Sequence, residues 1–78
     1  MFYTYVLKLS NGKFYVGFSS NLKQRIEAHE KRLVGRTKDS KSIDLVFYAA
    51  FENKSKAIKF ERYLKTNSGF AFRNKHLI

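Results

Sequence analysis

Residues 2–18 read FYTYVLKLSNGKFYVGF, and the way this stretch folds back on itself decides the fold. Phe2 to Leu9 is dense in β-branched and aromatic residues, so it reads as a strand, with apolar groups on both faces. A strand without a clean polar face is covered on both sides, which predicts helices above and below the sheet. Ser10-Asn11-Gly12 supplies the turn and Lys13 to Phe18 the returning strand, because Asn-Gly accepts the left-handed conformations a tight hairpin needs. Two turns fit. A two-residue type I′ turn pairs Ser10 with Lys13 and sends Tyr5 and Tyr15 to opposite faces. A three-residue loop with a bulge at Gly12 pairs Leu9 with Lys13 and Leu7 with Tyr15, and both tyrosines then share a face.

Working outward, Ser19-Ser20-Asn21 closes the hairpin, and Asn21 with Gln24 forms a capping box for a helix running to about Leu33. Leu22, Ile26, His29 and Leu33 lie on one seam of that helix, and Arg25 sits about 60° from Leu22 at its edge. Gly35 is a natural helix stop, and Gly35 to Ser42 is a polar, basic loop without apolar anchors, expected to be mobile. Ile43 to Phe51 reads as a third strand, apolar on both faces. Asn53 caps a helix to about Lys65, which Asn67 ends in a left-handed conformation, and Ser68-Gly69 starts a short helical tail. The order is β-β-α-β-α-α, in a single domain spanning residues 1–78.

Composition narrows the class of partner. Sixteen Lys and Arg against six carboxylates give a net charge of +10, a field that favours polyanions. Eight Phe and five Tyr supply large burial with few rotors to freeze, as a small core requires. With no cysteine there is no disulfide and no thiolate metal site, which fits a reducing cytosol and a cytoplasmic location. No apolar run approaches the ~20 residues of a membrane span, and the N-terminus enters a strand without signal-peptide features.

Several polar residues sit where chemistry is possible. Glu61 lies at the border between the inward face of its helix (Ala57, Phe60, Leu64) and a basic face. It is either an exposed partner of Lys65 at i+4 or a carboxylate holding a hard divalent cation at the rim of a basic groove. Arg25 either lays its stem over the core or stabilises charge on a phosphoryl group. His29 is by default a buried, hydrogen-bonded histidine, with proton transfer or a phosphate contact as its alternative. Tyr3, Tyr5 and Tyr15 are ordinary strand residues, and a tyrosine acting as a base at neutral pH needs a cation nearby.

Taken together, Tyr3-Thr4-Tyr5, Tyr15-Val16-Gly17, Arg25 ten residues beyond Tyr15, and Glu61 within Ala57-Ile58-Lys59-Phe60-Glu61 resemble the GIY-YIG endonuclease superfamily. The similarity is to its small stand-alone bacterial and phage members, relatives of the nuclease module of the excision-repair incision subunit, and covers nearly the whole chain. It implies an α/β (α+β) fold, a three-stranded antiparallel sheet flanked by helices. It also implies metal-dependent endonuclease hydrolysis of nucleic-acid phosphodiesters, with DNA the expected substrate and DNA repair the expected setting. By the same resemblance Tyr5 is a general base or water-positioning group and Tyr15 lines the same site. Arg25 binds the scissile phosphate, and Glu61 ligates a single Mg²⁺ or Mn²⁺. His29 matches a histidine that some members carry one turn after the arginine. The family asparagine corresponds to Asn74, the better spaced, or to Asn67.

Lys54, Lys59, Arg62, Lys65 and Arg73 are expected to guide the nucleic-acid backbone, and a protein partner or homo-oligomer is expected for so small a chain. The sequence departs from the family pattern at Tyr3, which replaces the first glycine, and at Phe18, where some relatives have a lysine. The alternative function is a catalytically silent nucleic-acid-binding module on the same fold. A shared face for Tyr5 and Tyr15 requires the bulged loop at Gly12, so the resemblance selects between the two turns.

Overall fold

A computed structural model describes residues 1–31, 35, 37 and 39–77. The elements are β1 (Phe2–Leu9), β2 (Phe14–Ser19), α1 (Leu22–Glu30), β3 (Ile43–Phe51), α2 (Lys54–Leu64) and α3 (Asn67–His76). The strands form one antiparallel sheet in the order β2-β1-β3, so β1 is central and buried from Thr4 to Leu7.

The hairpin takes the three-residue loop. Leu9 N donates to Lys13 O at 2.8 Å, Gly12 N donates to Leu9 O at 3.0 Å, and Gly12 has φ +82°. That left-handed backbone suits glycine, and the extra residue fixes the register so that Leu7 faces Tyr15 and Tyr5 faces Gly17. Tyr5 and Tyr15 therefore share a face, the one α1 covers. Thr4, Val6 and Val16 point to the other face, where Val6, Val16 and Leu64 form the core with Phe14, Phe47, Phe60 and Leu77 packed around it. Helices on both faces explain why β1 has no polar side.

Three local expectations are corrected. β3 is an edge strand, and its pairing with β1 slips between Val6 and Leu7, leaving Val46 unpaired in a bulge. Leu45, Val46 and Tyr48 are consequently exposed, so its apolar character does not mean burial on both faces. At α1, Asn21 Oδ1 accepts from Gln24 N at 3.1 Å, but Asn21 N donates to Ser19 Oγ, which takes the place of the reciprocal half of a capping box. The helix is described to Glu30 with Lys31 as its C-cap, and Leu33 lies outside the described residues.

Asn67 is not a left-handed stop but the first residue of α3; Thr66 makes the joint, its Oγ1 donating to Tyr63 O and accepting from Gly69 N. The loop read as lacking apolar anchors has polar ones. Thr37 is buried, and Ser40 Oγ bonds Ser10 on the hairpin turn. Among the described residues, no helix is long and apolar enough to cross a membrane.

Candidate active site

Because Tyr5 faces Gly17, its ring can lie flat across β2. A Cβ at position 17 would run into the Tyr5 Cζ and hydroxyl and press on the Tyr15 ring, so only glycine leaves room for this arrangement. The Tyr5 and Tyr15 ring centroids are 6.3 Å apart, and the His29 ring meets both edge-on, 5.7 Å from Tyr5 and 5.1 Å from Tyr15. His29 is supplied by the inward seam of α1, as its heptad-like spacing from Leu22 and Ile26 foretells.

A hydrogen-bonded chain runs through this cluster. The Tyr5 hydroxyl and His29 Nε2 are 2.9 Å apart, and His29 Nδ1 and Thr37 Oγ1 are 2.7 Å apart. Tyr5, His29 and Thr37 are all buried. A neutral imidazole has one N–H, so two arrangements satisfy the chain. Either Nδ1–H donates to Thr37 and the Tyr5 phenol donates to Nε2, or Thr37 donates to Nδ1 and Nε2–H donates to the Tyr5 oxygen. Burial, reinforced by the charge of Arg25, lowers the His29 pKa, so the neutral ring prevails at pH 7.

Burial also pushes the Tyr5 phenol up, from 10.0 to about 12. The other influences identify its neighbours. A hydrogen bond and the charge of Arg25 favour the phenolate, whereas Tyr15 and Glu61 oppose it. Arg25 comes from the exposed side of α1, and Glu61 from α2 on the far face of the sheet. Thr4 helps to fix the second approach: its Oγ1 donates to Ala57 O at 2.6 Å, one helical turn before Glu61.

Glu61 shows the first of its two readings, the i+4 pairing with Lys65. It pairs with Lys65 at 3.2 Å, and its side chain is 20% exposed while its charge acts on Tyr5. Among the described residues, no group of three or more His, Cys, Asp or Glu could cage a metal. One half-open carboxylate suits Mg²⁺ or Mn²⁺, which keep bound waters and accept phosphate oxygens, and does not suit zinc.

Arg25 lines a small hollow with Ser19, Gln24 and Ala28, while Tyr15 lines another with Lys65 and Arg73. Tyr5 itself is buried. A larger cavity of about 690 Å³ lies away from the cluster, floored by Tyr3, Leu22, Ile26, Leu45 and Tyr48.

Of the remaining expected residues, Lys54, Lys59, Arg62 and Lys65 are exposed on α2 and its cap, while Asn67 is exposed at the start of α3. Arg73 is placed differently. It is only 4% exposed, its guanidinium lies 4.9 Å from the Phe14 ring centroid and 4.3 Å from that of Phe70, and burial lowers its pKa. Its charge lies against those two rings and packs α3 on the hairpin. Asn74 accepts from Arg73 Nε and Nη2 and borders a hollow with Gly12, Lys13 and Phe14, at the turn end of the hairpin. The residues that sequence reasoning missed are Thr4 and Thr37, whose buried hydroxyls look like ordinary strand and loop threonines in one dimension.

The comparisons with known proteins agree with this geometry. The family model described as the GIY-YIG catalytic domain matches residues 1–75. A UPF0213 protein of Clostridium perfringens is 36% identical over 66 residues, which is 83% of this chain and 71% of that protein. A UPF0213 protein of Staphylococcus aureus is 32% identical over 65 residues, covering 82% of this chain and 79% of that protein. The solution NMR structure of a UPF0213 protein from Bacillus halodurans shares the fold, with a TM-score of 0.61 at 24% identity over 96% of this chain and 84% of that one. With the family model matched from residue 1 to residue 75 and the relatives covered over most of their length, this chain belongs to the GIY-YIG family.

Proposed function

We propose that this protein is a divalent-metal-dependent nuclease that cleaves nucleic-acid phosphodiester bonds, with DNA as its substrate. The observation that supports the reading most is the packing of the Tyr5 and Tyr15 rings on one face of the sheet, 6.3 Å apart, with Arg25 on the helix that follows them and Glu61 close enough for its charge to act on the Tyr5 phenol. Phosphodiester hydrolysis needs a directed water and neutralisation of the charge that develops on the phosphoryl oxygens.

In this reading Arg25 binds the scissile phosphate and neutralises that charge, its exposed position leaving the guanidinium open to a ligand. Glu61 would hold one Mg²⁺ or Mn²⁺, which when bound supplies Lewis-acid polarisation of the phosphate and lowers the pKa of a ligated water. Tyr15, half-buried, is the tyrosine able to contact the attacking water. Tyr5 orients the cluster from beneath: its raised pKa keeps the phenol protonated at pH 7, and His29 holds that phenol in place. This assigns the base or water-positioning role to Tyr15 and a supporting one to Tyr5.

A catalytically silent nucleic-acid-binding module is the second reading, favoured by the sealed Tyr5 and by the Lys65 ammonium already on Glu61. Incubating labelled single-stranded, duplex and branched DNA with Mg²⁺ or Mn²⁺ separates the two. Cleavage by the wild type that Glu61→Ala abolishes supports the nuclease. Binding without cleavage by either protein supports the silent module.

A further inference from the structure

The basic charge is unevenly spread, and its dense end carries exposed rings. Between residues 53 and 77 there are seven Lys and Arg against one carboxylate, Glu61. In the same region Tyr63 is 41% exposed and Phe72 38% exposed, far more than a small core would choose to leave open. Helical spacing puts Lys56, Lys59 and Tyr63 on one face of α2, and Phe72, Lys75 and His76 on one face of α3.

The joint between the helices brings these faces together. Gly69 packs against the backbone of Tyr63 and Leu64 so closely that a Cβ there would clash with the Tyr63 carbonyl. That close approach lays Phe72 beside Tyr63, with centroids 6.0 Å apart, and Phe72 in turn meets His76 at 4.9 Å. The result is a continuous aromatic strip, Tyr63-Phe72-His76, approached from α2 by Lys56 and Lys59.

We infer that this strip is a stacking platform for unpaired bases, so that the substrate of the proposed nuclease includes a single-stranded segment. The inference rests on the nucleic-acid reading of the preceding section and names a substrate class within it. Charge complementarity selects the occupant: cations flanking the rings track a phosphate backbone, while every base offers a π-face to a Tyr or Phe. Bases in an intact duplex are already stacked on one another and gain nothing from the strip.

The test measures binding without turnover. Full-length protein in chelator is titrated into a fluorescent single strand of about 20 nucleotides, and separately into the corresponding duplex. Relative to wild type, the Tyr63→Ala/Phe72→Ala variant is expected to bind the single strand about tenfold or more weakly, since each base stacked is worth a factor of about 5 to 150. Its duplex affinity changes less than about threefold, and its salt dependence on the single strand is unchanged, because no phosphate contact is lost.

Phe72→Trp, which keeps a ring, retains single-strand binding and guards against a folding artefact. Equal losses on both probes, or no loss on either, overturn the inference while leaving the nuclease reading standing. Wild-type protein that binds neither probe overturns both.

Discussion

Tyr5 carries the most information of any single residue. Its raised pKa predicts that one of the five tyrosines ionises late, near pH 12, in an ultraviolet titration, and that Tyr5→Phe removes this late step. The sign of the linkage follows. The unfolded phenol loses its proton near 10.0 and the folded one near 12, so the stabilisation is fully present below pH 10 and is lost as pH rises through 12. His29 gives the mirror image on the acid side. Its folded pKa lies below the ordinary 6.5, so the unfolded state binds the extra proton and stability falls as pH drops below that value. Thermal melts between pH 8 and about 5 should show a falling Tm in wild type and a flatter profile in His29→Gln. The burial and hydrogen bonding of His29 were legible as its default reading in the sequence, and the structure has them; the depth of Tyr5 was not, because a strand tyrosine is compatible with burial or with exposure.

The hairpin is the element on which the site depends, because its turn decides whether Tyr5 and Tyr15 meet. Gly12→Ala forces an L-residue to φ +82° and should cost about 1 kcal/mol in denaturant melts, with the site retained. Gly17→Ala is more damaging. Its Cβ displaces the Tyr5 ring, so a loss of about 1–3 kcal/mol should accompany disruption of the late tyrosine titration. Strand, turn and helix order was readable here because apolar alternation, Asn-Gly and the Asn caps are local signals. The bulge at Val46, the Thr66 joint and the Thr37 and Ser40 anchors were not, since each depends on partners brought together only by the fold. The candidate site was legible as a set of residues but not as a depth. Helical angles place Arg25 and Glu61 at borders, and only packing shows that Tyr5 is buried.

Across the whole molecule, charge and chemistry divide the work. If the proposed function holds, the basic α2–α3 side attracts a backbone without reading its sequence, and affinity for DNA should fall steeply with salt, giving a linear plot of log K against log salt. Lys54→Ala and Lys59→Ala should each reduce that slope by about one, whereas Arg73→Ala should lower stability instead, because Arg73 is buried against Phe14 and Phe70. The central claim is that the residues gathered at Tyr5 cut the strand that this surface holds. It is tested most directly by single-turnover cleavage of labelled DNA in Mg²⁺ or Mn²⁺, with wild type and Glu61→Ala compared at saturating protein and their affinities measured alongside. The account predicts cleavage by wild type, a rate at least about a hundredfold lower in Glu61→Ala, and affinities within about threefold of each other. Equal cleavage by both proteins, or tight binding with no cleavage by wild type, would contradict it.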